Sequence, residues 1–209
     1  MKFREKLKVL LTELAISKGD FTLSSGWKTD VYLDAKKVTL HPVGNLLIGK
    51  VFIDEIKHIQ STIEFIGGPE LGAIPISLSV AVNSFYSFPA LLPFVVRKEQ
   101  KQHGTQQLIE GHIPTTNSRV VLVDDVATTG SSLVHTIEVL KDTGCHIVQV
   151  IVLVDRQQGA KENLIDNHEV ELVSIFTLDE LFRFAESRFV ESRFAGIGAG
   201  EIKVCENSN

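Results

Sequence analysis

Cysteine is nearly missing from this chain: Cys145 and Cys205 are the only two among 209 residues. That rules out a disulfide framework, and their spacing matches no metal site. A reducing cytoplasm is the expected setting. Basic charge is not in excess either. With 21 Lys and Arg against 26 Asp and Glu, the net charge of −5 argues against a general nucleic-acid or membrane-surface binder. Repetition is scarce: Glu186–Phe189 recurs as Glu191–Phe194, which is too short for a repeat architecture. Long apolar runs are always interrupted. Ile74–Val96 holds no charged residue and has the length of a membrane span. Yet Ser77, Ser79, Asn83, Ser84 and Ser87 are scattered through it, and Pro75, Pro89 and Pro93 punctuate it. It reads as a buried helix, a turn and a core strand. At the N-terminus, Lys6, Lys8 and Glu13 break what could pass for a signal peptide. Leu7, Leu10, Leu11 and Leu14 there follow helical spacing, so an amphipathic surface helix is expected.

What is present is the alternation of an α/β protein. Phe21–Leu40 holds short β-type runs around a Ser-Ser-Gly turn, and Pro42 stands at the start of a helix over Val43–His58. From there strands and helices alternate. Strands are expected at Thr62–Ile66, Leu92–Val96, Arg119–Asp124, Ile147–Val154 and Val170–Ile175. Helices are expected at Gly72–Ser84 and Ser131–Gly144, and one from Thr177, with Glu180 three residues on as a capping box. Gly67-Gly68-Pro69 reads as a turn, and Arg97–Pro114 as a long loop of the kind that often serves a site. The pattern implies a central, mainly parallel sheet flanked by helices. No composition shift demands a second full domain, so residues 1–209 are read as one, and the tail from Gly196 has no strong pattern.

The most informative stretch is Val120–Ser132, VVLVDDVATTGSS. An apolar strand meets two adjacent acids, Asp124 and Asp125. A turn of small residues follows (Ala127, Thr128, Thr129, Gly130, Ser131, Ser132) and then a helix. A strand, a turn rich in N–H and hydroxyl donors and a helix N-terminus suit a phosphate monoester. Two acids beside a phosphate call for a ligand that also carries hydroxyls, such as a ribose 5-phosphate. Gly67–Ala73, Arg97–Gly104 and Asp155-Arg156-Gln157 also follow strands, so all should converge on one crevice at the sheet's C-terminal ends.

Val120–Ser132 closely resembles the phosphoribosyl pyrophosphate (PRPP) signature of type I phosphoribosyltransferases. The resemblance implies that fold, with a small N-terminal hood at about residues 1–45 and a PRPP-binding core at about 60–182. It also implies that the turn holds the 5-phosphate and that Asp124 and Asp125 accept from the ribose hydroxyls. Arg97-Lys98-Glu99-Gln100-Lys101-Gln102-His103-Gly104 is similar to the mobile catalytic loop of the orotate-using branch. By that likeness Lys101 and His103 stabilise the transition state, and Arg97 and Lys98 contact phosphates. The loop would be shared across subunits in a homodimer. Phe21–Gly26 (FTLSSG) and Asp34–Pro42 (DAKKVTLHP) resemble the same enzymes' orotate-recognition segment, with Ser24, Ser25 and Gly26 at the base. Thr128 is placed there too, and Arg156 over the orotate carboxylate. Gly67–Ala73 resembles the pyrophosphate loop, with Glu70, Leu71 and Gly72 against the ligand. Some family members carry lysines where Ser24 and Gly72 stand here, and Trp27 occupies a place expected to be small or basic. The implied reaction joins orotate and PRPP into orotidine 5′-monophosphate and pyrophosphate for pyrimidine biosynthesis. Mg²⁺ would be held mainly by PRPP oxygens rather than by a protein metal site. The alternatives are a phosphoribosyltransferase acting on adenine, xanthine or hypoxanthine, and a PRPP-binding regulator without turnover. A regulator would need a DNA-reading module or a basic face, for which the sequence gives no sign.

Overall fold

In the second half of the chain every long apolar run becomes a strand of one sheet. A computed structural model describes residues 2–22, 28–59, 63–86, 90–100 and 107–198. The sheet strands are β3 (Phe65–Pro69), β4 (Leu92–Val96), β5 (Ile109–Gly111), β6 (Arg119–Ala127), β7 (His146–Asp155) and β8 (Leu172–Thr177). They lie side by side in the order β5-β4-β3-β6-β7-β8. All neighbours are parallel except β5, which runs antiparallel to β4. The connecting helices are α4 (Ala73–Ser84), α5 (Ser131–Lys141), α6 (Ala160–His168) and α7 (Leu178–Gly198).

The strands are apolar on both faces because both faces are covered. On β6, Val121 and Val123 join one core with Leu11, Ile48, Phe52 and Ile76, while Val120 and Leu122 join another with Phe94, Leu133 and Leu140. β7 repeats the alternation: Ile151 and Leu153 face the first core, Val150 and Val152 the second. Helices α1 (Phe3–Leu14) and α3 (Pro42–Ile56) supply much of the first core. In α1, Leu7 and Leu11 are fully buried and Leu14 lies at the exposed margin, as the helical spacing required. Between α1 and α3 run the antiparallel hairpin of β1 (Ile16–Thr22) and β2 (Lys28–Leu33) and the short helix α2 (Lys36–Thr39). Among the described residues no helix is long and apolar enough to cross a membrane.

Three expectations need correction. Gly67, Gly68 and Pro69 lie inside β3 rather than in a turn after it. A Cβ on Gly67 would overlap Phe94, and one on Gly68 would overlap the carbonyl of Val123, so these glycines serve close packing in the sheet. The loop expected over Arg97–Pro114 contains β5, where Val96 pairs with Ile109 and the Arg97 N–H donates to the Leu108 carbonyl at 2.8 Å. β6 does not end at Asp124. It keeps pairing with β7 as far as Ala127 opposite Asp155, because Val126 and Ala127 continue the ladder. The helix beyond Thr177 shows half of the expected capping box: the Glu180 N–H donates to the Thr177 hydroxyl at 3.1 Å, while the Glu180 carboxylate pairs with Arg4 and Lys8.

Candidate active site

The direction of winding places the site. From β3 the chain moves outward to β4, then returns to the other side of β3 to form β6. β3 and β6 are therefore the strands whose onward connections leave in opposite directions. A crevice opens beyond their C-terminal ends at such a switch point. Residues Glu70–Gly72 leave β3 there, and Asp124 and Asp125 lie on β6 facing them.

The acids are buried, with Asp124 5% and Asp125 6% exposed. Asp124 Oδ1 accepts the Asp125 N–H at 2.9 Å, and its Oδ2 accepts the Ser132 hydroxyl at 3.3 Å. Burial, reinforced by the neighbouring Asp125 charge, pushes the Asp124 carboxyl up to about 8 against those two hydrogen bonds. Asp124 thus holds a proton near neutral pH while no ligand shares its site. Gly72 closes in on the pair from β3: a Cβ there would overlap Oδ1 of both acids. Its φ of −60° is ordinary, so glycine is required for space alone.

Beyond the acids the chain turns through Thr128 and Thr129 into α5. Gly130 has φ 80°, the left-handed conformation that glycine accepts most readily. The Asn163 side chain of α6 donates to the Thr129 carbonyl at 2.9 Å and fixes the turn from below. The first-turn N–H groups of α5 have no partner within the helix and are available to an anion. Just past the end of β7, the Arg156 N–H donates to the Ala127 carbonyl at 2.9 Å, which sets Arg156 beside the same turn. Among the described residues its buried Nε has no hydrogen-bond partner.

On the other flank, the loop after β3 grips the root of the segment after β4. The Glu70 N–H donates to the Val96 carbonyl at 2.9 Å, and Glu70 Oε1 accepts the Lys98 N–H at 3.0 Å. The Arg97 carbonyl lies 3.1 Å from Nε2 of His135 on α5, and the Arg97 guanidinium lies 4.0 Å from Glu110. Glu70, Leu71, Gly72, Asp124, Asp125 and the turn through Ser132 are thus brought together, with Arg156 on one side and the backbone of Arg97 and Lys98 on the other. Lys101, His103, Ser24, Ser25 and Gly26 lie outside the described residues.

One site residue escaped the sequence reading. Lys36, on α2, places Nζ 2.9 Å from Asp125 Oδ2. Partial burial opposes its charge, but the Asp125 carboxylate more than offsets that and raises its pKa above the ordinary lysine value. The only hint was its place in the DAKKVTLHP segment, since no spacing rule connects residues 36 and 125.

The arrangement can hold a phosphate on the turn, neighbouring hydroxyls on the acids and a second anionic group against Gly72. Comparison with known proteins gives the same direction. The phosphoribosyl transferase domain family matches residues 41–182. The orotate phosphoribosyltransferase of Pyrococcus abyssi is 35% identical over 181 residues, covering 87% of this chain and 96% of that one. That of Nostoc sp. is 39% identical over 178 residues, covering 85% and 84%. The crystal structure of Mycobacterium tuberculosis orotate phosphoribosyltransferase in complex with PRPP superposes with a TM-score of 0.69 at 31% identity, covering 86% of this chain and 98% of that one.

Proposed function

The chain belongs to the orotate phosphoribosyltransferase family, and from that premise we propose that it transfers the 5-phosphoribosyl group of PRPP to orotate. The products are orotidine 5′-monophosphate and pyrophosphate, a step of pyrimidine biosynthesis. The observation that carries the reading is the meeting of Gly72 with Asp124 and Asp125, directly ahead of the turn at Thr128–Ser132. A sugar lying on the acids has its 5-phosphate on that turn and its pyrophosphate on the Glu70–Gly72 loop.

The base nitrogen N1, its proton released to solvent, attacks the anomeric carbon as that carbon's bond to the pyrophosphate oxygen breaks, and pyrophosphate leaves with the electron pair. Positive charge grows on the ribose and negative charge on the leaving group. Electrostatic stabilisation and exclusion of water therefore matter more than a covalent nucleophile. Asp124 and Asp125 accept from the ribose hydroxyls and orient the ring. Ala127 to Ser132 supply N–H and hydroxyl donors to the 5-phosphate. Arg156, with an unengaged Nε, suits the orotate carboxylate, since a guanidinium matches a planar anion. Thr128 and the Ser24–Gly26 segment complete the base site in this reading. Lys101 and His103 neutralise the leaving group, with Arg97 and Lys98 on its phosphates.

Two carboxylates, one already paired with Lys36, are too few for an all-protein metal cage. They would suit a Mg²⁺ ion brought mainly on PRPP oxygens, with Asp124 and Asp125 as the residues that would help hold it. Such an ion would add positive charge at the pyrophosphate. A homodimer is part of the proposal, supported by exposed apolar residues on α3 and α4, namely Val43, Leu46, Leu78 and Val82, with Phe85 just beyond α4. The cytoplasm is the proposed location.

The test is a spectrophotometric assay of orotate loss with PRPP and Mg²⁺, run beside adenine, hypoxanthine and xanthine. Orotate should be consumed and the purines spared. Turnover of a purine with orotate untouched would move the chain to another branch of the fold.

A further inference from the structure

The loop that follows β3 brings no cation of its own to the pyrophosphate side of this crevice. The Glu70–Gly72 loop contributes an acid, an apolar residue and a glycine. No side chain at residue 72 can bring a cation, because even a Cβ there would run into both aspartates. The ligand's most anionic portion would then rest beside two buried acids. Among the described residues, the cation recorded against those acids is Lys36.

Its placement is specific. Asp125 presents Oδ1 toward Gly72 and Oδ2 to the Lys36 ammonium, so the lysine and the pyrophosphate loop occupy opposite oxygens of one carboxylate. The helix carrying Lys36 is firmly held. Asp34 Oδ1 accepts the Lys36 N–H at 3.2 Å, and Val38 is fully buried. Asn45 donates from one amide nitrogen to the Thr39 carbonyl at 3.1 Å and to the Pro75 carbonyl at 2.8 Å, tying the end of α2 to the first turn of α4. Since α4 begins immediately after Gly72, α2 and the pyrophosphate loop are fixed to one another. The Lys36 side chain is nevertheless 50% exposed, so its flexible stem can turn while its backbone stays in place.

We propose that Lys36 is a pyrophosphate-binding residue, which rests on Asp125 in the free protein and moves onto pyrophosphate oxygens when PRPP arrives. This rests on the reading of the crevice as a PRPP site. The transfer does two things at once. It releases Asp125 to accept from the ribose hydroxyls, and it supplies the leaving group with the cation that Gly72 cannot offer. Lys36 is thus a switchable counter-ion shared between the two halves of the substrate.

The test compares wild type, Lys36→Gln and Lys36→Arg by calorimetry with three probes: PRPP, inorganic pyrophosphate and ribose 5-phosphate. Melting curves establish that each variant is folded. In Lys36→Gln, PRPP and pyrophosphate should bind roughly tenfold or more weakly, the loss of one charge-assisted contact. Ribose 5-phosphate, which lacks the pyrophosphate, should bind as well as before or better, because no lysine has to leave Asp125. Lys36→Arg should recover most of the PRPP affinity. Equal weakening of all three probes, or no change in any, would overturn the assignment to Lys36 while wild-type binding of PRPP kept the reaction intact. Failure of wild type to bind PRPP would remove the functional reading and this inference together.

Discussion

Glu70 holds the backbone of Lys98: its Oε1 accepts the Lys98 N–H at 3.0 Å, across 28 residues of sequence. The loop that leaves β3 is thereby fastened to the chain leaving β4, so ligand contacts on one are transmitted to the other. Glu70→Ala should lower kcat/KM for PRPP by about tenfold, the worth of one hydrogen bond to a charged group. Because the bond is exposed, the melting temperature should hardly move. Unchanged steady-state kinetics would show that the fastening is incidental.

Gly72→Ala tests the space rather than the flexibility of that position. The added methyl would collide with both aspartates, while φ remains comfortable for alanine. PRPP affinity should fall about a hundredfold or more, in line with the effect of a small misplacement at a reacting site. Calorimetry on the folded variant would read it. Wild-type affinity would mean that the loop can retreat without consequence.

Asp124 makes stability depend on pH in an unusual direction. Its carboxyl is raised from the ordinary 3.8 to about 8 by burial and by the charge of Asp125. Between those values the folded state binds more protons than the unfolded state, so stability declines as pH rises through the window. Below pH 4 the contribution is fully present, and above pH 8 it is lost. Asp124→Asn should flatten this slope for the ligand-free protein. At pH 8 it should raise the melting temperature by roughly 2–4 °C for each kcal/mol recovered, while weakening PRPP binding. An unaltered pH profile of melting in the variant would refute the assignment.

Val82→Glu places a charge on the apolar face formed by α3 and α4, where Val82 is 65% exposed. In a monomer this is a harmless surface change. If two chains meet there, a buried unpaired carboxylate should break the pair. Sedimentation should then register a dimer for wild type and a monomer for the variant. Identical sedimentation of both would clear this face of that role.

Much of this was legible beforehand because burial writes itself into strands. The runs around Val120, Ile147 and Leu92 are almost wholly apolar, with Gln149 the one polar residue in the second, since both sheet faces are covered. β5 left no such mark: Ile109-Glu110-Gly111 is too short and mixed, and it exists because Val96 offers it an edge. Asp124 and Asp125 look in sequence like a strand's exit, whereas their burial lets the β6 ladder run on to Ala127. The glycines at 67 and 68 read as a turn because sequence does not distinguish a glycine needed for bending from one needed for closeness. Lys36 was beyond reach for a different reason. Its meeting with Asp125 is made by the docking of α2, through Asn45, onto α4.

Glu180 on α7 takes Lys8 at 2.8 Å and Arg4 at 3.0 Å, and Arg4 also donates to the Ile175 carbonyl at 2.9 Å. The first helix therefore finds its polar partners about 170 residues further along the chain. Contacts this distant in sequence close slowly. A chain truncated before α7 should leave α1 open to limited proteolysis, and protection of α1 in that fragment would argue otherwise. The hairpin and Lys36 follow α1 directly, so the Lys36–Asp125 contact of the crevice sits on a segment whose first helix is anchored by residues made much later. An emerging chain would then hold its phosphate turn before it can hold its substrate.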